Sequence, residues 1–216
     1  MSKTNVPPRH LIAIVGSRGG LKPLVTIVRD LPLDLDAAVV VLIHRGATTK
    51  SHLAEILSRA TSLPVAFAVD GERLERGRIY VVPPGDRHAL IQGRTIRLVA
   101  APRVHYHRPA GDPLLYSAAA AFGPDAIGVI LSGMGRNGEA GVAAIKQGRG
   151  KVFVQSVVEA EYPSMPRHAM AAAEPDACLM AAEIAPRLAA LCAPAVVPFE
   201  AADRAERPRR REHRSA

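Results

Sequence analysis

The sequence predicts an α/β domain in which a doubly wound, mostly parallel sheet is covered by helices on both faces and carries an inserted β-hairpin region. Three observations lead to this prediction. Short apolar, β-branched runs alternate with segments of helical spacing, a pattern typical of parallel sheets with helical crossovers. One run, AAVVVLI at residues 37–43, is apolar without interruption, as expected for a strand buried on both faces. Glycine-rich or polar segments follow several predicted strands, where sheets of this kind bind ligands.

The first half of the chain contains two strand–helix units and then a stretch without helical spacing. Strands are predicted at 10–15 and 37–43, followed by helices from Leu21 and over 50–60. Residues 65–100 alternate between apolar and polar positions and contain Asp-Gly and Pro-Gly turn signals. We therefore expect short strands and hairpins in this stretch.

The second half returns to alternating strands and helices after a polar loop at 101–113. The predicted helices cover 114–122, 139–147, 165–173 and 181–192, and the predicted strands cover 126–131, 151–155 and 178–180. The chain accordingly divides into a disordered N-terminus at 1–9, one domain at 10–193, and a basic, disordered tail at 194–216.

The net charge of +8 on 216 residues raises the question of nucleic-acid binding. Residues 201–216 contain six Arg and three acidic residues, and residues 1–10 add Lys3 and Arg9, so most of the excess charge lies near the chain ends. Only 4% of the residues are aromatic and none is Trp, which leaves no evident surface for stacking bases. We therefore expect no nucleic-acid partner.

Composition also argues against membrane insertion, secretion and a disulfide scaffold. The longest apolar run has seven residues, far fewer than the roughly 20 needed to span a bilayer. The N-terminal residues MSKTNVPPRH lack the apolar segment of a signal peptide. Cys178 and Cys192 are the only cysteines. These features predict a cytoplasmic protein without membrane insertion.

The first predicted strand ends at the segment 16–20, Gly-Ser-Arg-Gly-Gly. Ser17 lies close to the start of the following helix, where a serine often serves as N-cap. A serine on a tight strand-to-helix turn can also act as a nucleophile, because glycines let the backbone bend and expose the hydroxyl. A phosphate-binding G-x-x-x-x-G-K-[ST] loop is absent. Residue pattern alone leaves both interpretations open.

The second predicted strand ends at His44, directly after seven apolar residues. A single histidine is weakly informative, and a surface or core role is one interpretation. The other follows from position, because consecutive strand units usually lie side by side, which would bring His44 close to Ser17. A serine hydroxyl becomes a good nucleophile when an imidazole accepts its proton.

A third strand end carries the segment 132–138, Ser-Gly-Met-Gly-Arg-Asn-Gly. This segment fits G-x-G-x-x-G, and Glu159 and Glu161 follow about 20 residues later, as in dinucleotide-binding folds. That fingerprint normally opens its fold, whereas here it lies late in the chain. The loop can instead offer backbone N–H groups to an oxyanion and a polar side chain to orient a histidine.

Histidines are also concentrated at 105–107, His-Tyr-His, which with His44 and His88 raises the question of a metal site. The ligand spacing H-x-x-x-H or a similar pattern does not follow. We therefore interpret this segment as a polar loop and expect neither a metal nor another cofactor.

Six segments occur in an order that matches a known family: IVGSRGG, VLIHRG, VPPGDRHALI, HRPAGDPLLYSAA, AIGVILSGMGRNGEAGVAAIKQGRG and SMPRHAM. Over residues 10–192 the chain resembles the catalytic domain of the CheB-type chemotaxis receptor methylesterase, protein-glutamate methylesterase. The resemblance implies a serine hydrolase on a modified doubly wound fold. It implies hydrolysis of glutamate methyl esters on chemoreceptors, with release of methanol, and deamidation of receptor glutamines.

The resemblance assigns roles to five residues. Ser17 matches the nucleophile and His44 the general base, and backbone amides near Arg18 and Met134 match the oxyanion hole. The third member of the triad falls on Asn137, where the family pattern G-M-G-x-D-G has Asp. Smaller departures are Arg18 in place of a small residue beside the nucleophile, and a serine in place of the glycine before Met-Pro.

Asn137 leaves four outcomes open. The enzyme is slow, or it recruits another acid such as Glu139 or Asp112, or it is a catalytically silent binding module in chemosensory signalling. The fourth is slow deamidation of the Asn137-Gly138 dipeptide to Asp. The expected partner is a methylated chemoreceptor. The receiver domain that usually precedes this esterase is not in the sequence, so a receiver on a separate chain is the alternative source of control.

Overall fold

The computed structural model describes residues 6–44 and 51–194. The strands are β1 (His10–Gly16), β2 (Ala37–Ile43), β3 (Val65–Phe67), β4 (Arg78–Val81), β5 (His88–Gln92), β6 (Thr95–Val99), β7 (Ala126–Ile130), β8 (Lys151–Gln155) and β9 (Ala177–Leu179). The helices are α1 (Leu21–Arg29), α2 (Leu53–Ala60), α3 (Gly111–Phe122), α4 (Glu139–Gln147), α5 (Ser164–Ala172) and α6 (Ala181–Leu191), with a short 3₁₀ turn at Gly123–Asp125.

Seven strands form one sheet in the order β3-β4-β2-β1-β7-β8-β9, and every neighbouring pair is parallel. Strands β5 and β6 form a separate antiparallel hairpin. The predicted α/β class and the inserted hairpin are thus confirmed.

The prediction for residues 65–100 was only partly right, because β3 and β4 belong to the parallel sheet rather than to hairpins. In β4, Ile79 pairs with Val39 of β2 on one side and with Val65 of β3 on the other. An alternating pattern reports that a strand has two different faces, but it carries no information about which strand becomes its partner.

The central strands separate two apolar layers, because successive side chains of a strand point to opposite faces. Leu11, Ala13 and Val15 of β1 lie in the layer covered by α3, α4 and α5, whereas Ile12 and Ile14 lie in the layer covered by α1, α2 and α6. All five are fully buried, as expected for a strand with both faces covered. Each fully buried Leu, Ile or Val side chain stabilises the fold by roughly 1.5–3 kcal/mol.

Most predicted helix and strand ends agree with the structure to within one residue; the exceptions are the starts of α2 and α3. Helix α2 begins at Leu53, after the described but non-helical residues 51 and 52, whereas its predicted start was position 50. Helix α3 begins at Gly111, three residues before the predicted start, because Pro113 occupies its first turn, where proline is tolerated. Position 50, the predicted start of the second helix, lies outside the described residues, as do 1–5 and 195–216 of the predicted termini. Residues 6–9 contact the domain: Pro8 is buried, and the Val6 carbonyl accepts a hydrogen bond from the Arg76 amide.

The reversal of strand order at β1 determines where a ligand can enter. β1 lies between β2 and β7, and the helices that follow β1 and β7 pack on opposite faces of the sheet. Their divergence opens a crevice beyond the carboxyl ends of these strands, the usual ligand position in doubly wound sheets. Within the described residues, each helix is too short or too polar to cross a bilayer.

Candidate active site

Ser17 directly follows β1 and lies in a tight turn at the edge of the crevice. Its amide donates a hydrogen bond to the Ser132 carbonyl at 3.0 Å, and its carbonyl accepts one from the Gly20 amide, also at 3.0 Å. Helix α1 begins at Leu21 with Gly20 as N-cap. The N-cap interpretation of Ser17 is therefore wrong, and its hydroxyl makes no hydrogen bond within the described residues.

The turn needs glycine because the backbone at Gly19 has φ of 77°, in the region that side chains disfavour. A Cβ at this position would also lie 2.5 Å from the Ser132 hydroxyl oxygen. The glycine-rich sequence after the first strand thus reflects a tight turn packed against the loop after β7.

His44 follows β2 and lies beside the Ser17 turn, as the strand order predicted. Its amide donates to the Gly16 carbonyl at 3.0 Å, and Gly16 pairs with Ile43 in the sheet register. Both ring nitrogens are buried and have no hydrogen-bond partner within residues 6–44 and 51–194. The backbone brings Ser17 and His44 to adjacent strand ends, but no hydrogen bond joins their side chains in this structure.

A second histidine, His107, packs on the ring of His44. The ring centroids are 4.5 Å apart and the planes are inclined by 29°, a stacked arrangement. His107 comes from the segment interpreted as a polar loop, where His105 and Tyr106 have positive φ and Val104 and His107 form a short antiparallel bridge. Residue spacing gives no indication of this contact. The sequence feature that could have drawn attention to His107 is its place as the first residue of HRPAGDPLLYSAA, one of the segments that match the family.

The surroundings of His44 favour its neutral form. Burial, the largest cause, and the neighbouring His107 together lower the pKa of His44 to about 4, and the Pro109 carbonyl opposes this shift without reaching hydrogen-bond geometry. Burial also lowers the pKa of His107, with contributions from His105 and Arg103. A neutral imidazole is the form that can accept a proton, so His44 is available as a base over a wide pH range.

Asn137 lies in the loop before α4, two residues before its first residue, and is buried to 2% exposure. Its Oδ1 accepts a hydrogen bond from the Gly111 amide at 2.5 Å. This bond orients the carboxamide, because the Gly111 N–H can pair with the oxygen but not with the NH₂ group. Nδ2 therefore points away from the Gly111 amide, and it is buried without a hydrogen-bond partner among the described residues.

Of the two acids named as substitutes for the triad Asp, Glu139 is already paired with Arg136. Its carboxylate accepts two hydrogen bonds from Arg136, at 2.8 and 3.0 Å, and Arg136 is the main cause of its lowered pKa. Asp112 is buried, with Oδ1 accepting from the Gly141 amide and Oδ2 lying 3.9 Å from His105 Nε2. Neither carboxylate is hydrogen-bonded to His44.

Backbone amides surround Ser17 on two sides. The Gly133 amide donates to the Tyr162 carbonyl, whereas the amides of Arg18 and Met134 donate to no acceptor in the described part of the chain. Gly133 packs so tightly that a Cβ there would lie 2.9 Å from Ser17 Cβ. Two unpaired amides near a serine are suited to binding an oxyanion.

Within the described part of the chain, the histidines at 105–107 belong to no group of side chains that could bind a metal ion. Among residues 6–44 and 51–194, no three His, Cys, Asp or Glu side chains are grouped closely enough to hold an ion.

The fold and this edge of the sheet define a doubly wound α/β domain with a serine, a histidine and an asparagine around its switch point. Comparison with known proteins gives the family. The model of the CheB methylesterase family matches residues 12–188, and the chain belongs to this family. The resemblance noted in the sequence is thereby confirmed.

Two relatives and one solved structure illustrate the match. The protein-glutamate methylesterase/protein-glutamine glutaminase 3 of Anaeromyxobacter dehalogenans is 38% identical over 187 residues, 86% of this chain and 54% of that protein. The corresponding protein of Pyrococcus horikoshii is 34% identical, over 78% of this chain and 46% of its own length. The crystal structure of the Thermotoga maritima CheB methylesterase catalytic domain superposes with a TM-score of 0.80 at 30% identity, covering 86% of this chain and all of that one. The chain spans about half the length of the curated relatives it matches.

Proposed function

We propose that this chain is a serine hydrolase that removes methyl esters from glutamate side chains of chemoreceptors and deamidates receptor glutamines. The observation that carries the proposal is the position of Ser17 and His44 at adjacent strand ends, with Asn137 in the loop before the helix that follows β7. Family membership supports the same assignment, since the named relatives are protein-glutamate methylesterases/protein-glutamine glutaminases.

The proposed reaction proceeds through an acyl-enzyme. The Ser17 hydroxyl oxygen attacks the ester carbonyl while neutral His44 accepts its proton, and the resulting oxyanion binds the amides of Arg18 and Met134. Protonated His44 then donates its proton to the departing methoxide, which leaves as methanol. Water, deprotonated by His44, hydrolyses the glutamyl ester on Ser17 and regenerates the free hydroxyl. For a glutamine, the leaving group is ammonia.

Release of tritium-labelled methanol from a methylated chemoreceptor tests this proposal. We expect slow methanol release by the native chain, above the background measured with Ser17→Ala. That variant is a suitable background because it lacks only the hydroxyl group proposed as nucleophile. The proposal fails if release by the native chain does not exceed that background; release by Asn137→Asp alone then favours a catalytically silent chain whose triad geometry is otherwise intact.

Asn137 itself favours a second candidate, a catalytically silent module that binds receptors or signalling partners. A triad acid holds the imidazole in the useful tautomer and stabilises the imidazolium, and a carboxamide does neither. The two candidates differ in a pair of measurements. The silent module binds methylated receptor in a sedimentation assay without releasing methanol, whereas the esterase also releases methanol.

The pH dependence of hydrolysis gives a further prediction. Because His44 acts as a base only when neutral, and burial lowers its pKa to about 4, kcat/KM of the native chain should stay level from pH 8 to about 5. It should then fall as the pH drops through about 4. In Asn137→Asp the new carboxylate stabilises the imidazolium, so the acid limb moves to higher pH. A neutral p-nitrophenyl ester is a suitable substrate.

The control for this profile is His10→Gln, since His10 lies at the opposite, amino end of β1. Its acid limb should coincide with that of the native chain. A native midpoint near 6.5, the ordinary value for histidine, contradicts the lowered pKa of the buried His44.

A further inference from the structure

Ser132 lies two residues after the end of β7, in the loop that packs against the Ser17 turn, and it is fully buried. Its backbone is held on both sides. The Ser132 amide donates to Gln155 Oε1 at 2.8 Å, and its carbonyl accepts the Ser17 amide at 3.0 Å. The backbone of Ser132 therefore connects the start of the Ser17 turn to β8.

The hydroxyl of Ser132 makes a second connection to the same turn. It donates to the Arg18 carbonyl at 3.0 Å and accepts from the Tyr162 amide at 2.9 Å. Both its donor and an acceptor lone pair are thus used inside the protein, so this hydroxyl is not available as a nucleophile. One residue holds the amide of Ser17 through its carbonyl and the carbonyl of Arg18 through its side chain.

The Arg18 amide lies between these two held groups along the chain. This is one of the amides proposed to bind the oxyanion. A hydrogen bond at the Ser17 N–H and another at the Arg18 carbonyl restrict the backbone torsions on either side of it. The direction of the Arg18 N–H, and with it the direction of the Ser17 side chain, follows from those restraints.

Gln155, which accepts the hydrogen bond from the Ser132 amide, is itself held by further hydrogen bonds. Gln155 is buried, and its Nε2 donates to Glu159 Oε2 at 2.8 Å, an oxygen that also accepts the Ala181 amide at 2.9 Å. The Tyr162 carbonyl accepts the Gly133 amide. Through Gln155 and Glu159, hydrogen bonds therefore connect Ser132, and with it the turn that carries Ser17, to β8 and to the start of α6.

We propose that Ser132 is a positioning residue whose hydroxyl holds the Arg18 peptide in the orientation required for oxyanion binding. This inference rests on the proposed esterase function. Ser132 itself does not touch the reacting atoms; it acts through the backbone of residues 17–18.

The test compares Ser132→Ala with Ser132→Thr, which retains a hydroxyl, both in an Asn137→Asp background. Ser132→Ala should lower kcat for a p-nitrophenyl ester by roughly 10- to 100-fold with KM within about twofold, since misplacement of catalytic groups acts on the reaction step. Ser132→Thr should recover most of the loss.

Ser117→Ala is the matched control. The Ser117 hydroxyl also joins separate backbone groups, accepting from the Ile91 amide at 2.9 Å and donating to the Pro113 carbonyl at 2.8 Å, but it lies in α3 against the hairpin. This variant should lower Tm as Ser132→Ala does, and leave kcat within about twofold. An equal fall of kcat in both variants overturns the positioning role, because a general loss of stability then explains it.

Hydrogen exchange of the peptide covering 16–20 provides a readout that does not depend on activity. Exchange should accelerate in Ser132→Ala and return toward the parent rate in Ser132→Thr. Unchanged exchange in Ser132→Ala overturns the proposal, and so does an unchanged kcat in an active parent. If the Asn137→Asp parent is inactive, the result refutes the esterase function rather than the positioning role. The hydrogen-exchange measurement then decides by itself whether Ser132 orders the turn.

Discussion

Replacing Asn137 by Asp should raise kcat for ester hydrolysis by roughly 10³- to 10⁴-fold. The magnitude is the reverse of the loss of about 10⁴ that follows Asp-to-Asn replacement in a serine protease triad, and it corresponds to about 4–5 kcal/mol of activation barrier. KM should change little, because the substitution acts on the base rather than on bound substrate. The measurement is methanol release from methylated receptor or turnover of a p-nitrophenyl ester.

The reason for so large an effect lies in the hydrogen bond that orients Asn137. The Gly111 amide holds Oδ1, so the group left to face another partner is NH₂, which can only donate. Asn137 Nδ2 and both ring nitrogens of His44 are unpartnered in this structure. An Nδ2–H donated to His44 during the reaction would favour the tautomer whose proton lies on the nitrogen toward Ser17. Only the minor tautomer could then accept the Ser17 proton, so hydrolysis by the native chain would be slow. In Asn137→Asp, one oxygen keeps the Gly111 bond and the other accepts the His44 proton.

Two controls separate this explanation from others. Asn137→Ala removes both ends of the carboxamide and should show no gain, and Ser17→Ala should abolish the gain in the Asp variant. Peptide mapping of the native sample must show intact Asn137, since deamidation at Asn137-Gly138 would supply the Asp variant as a contaminant. No increase in Asn137→Asp, in a folded sample, contradicts the triad assignment and leaves a recruited acid or a silent module.

Gly133→Ala should lower kcat by roughly 100-fold in the Asn137→Asp background. A Cβ at Gly133 overlaps Met165 Sδ and lies 2.9 Å from Ser17 Cβ, so the loop and the Ser17 turn must move apart. Displacement of reacting groups by about 1 Å can cost about 10²-fold in rate. The overpacking should also lower the free energy of unfolding by about 1–3 kcal/mol. Steady-state kinetics and chemical denaturation measure the two effects.

Gly148→Ala is the matched control for this substitution. Gly148 follows α4 with φ of −73°, and a Cβ there meets its neighbours at 3.4–3.6 Å, ordinary contact distances. It should leave both kcat and stability close to those of the parent. If Gly133→Ala retains full activity, Met165 has absorbed the added methyl group and Gly133 is not required beside Ser17.

Part of the site could be located from the sequence because it depends on strand order. Ser17 and His44 end consecutive strands, and consecutive parallel strands usually lie side by side, so their proximity followed from the two apolar runs alone. The same reasoning left the role of Ser17 open. The structure removed the N-cap interpretation, since Gly20 occupies that position.

Other contacts could not be predicted because they join segments far apart in the chain. His107 reaches His44 through a loop whose shape depends on positive φ at His105 and Tyr106, and local polarity gives no indication of such a path. The assignment of residues 65–100 to hairpins failed for a related reason. Alternation described the faces of β3 and β4, but their parallel partners are determined by packing.

The sequence by itself determined the α/β class, the strand ends that carry Ser17, His44 and the loop with Asn137, and the departure from the family pattern at that asparagine. Each of these depends on local periodicity or on residue identity, which folding does not alter. Only the tertiary structure decided that Gly111 orients the Asn137 amide, that His107 covers His44, and that Ser132 holds the Ser17 turn. These are contacts across large sequence separations, and they exist only once the sheet has brought its strand ends to one edge.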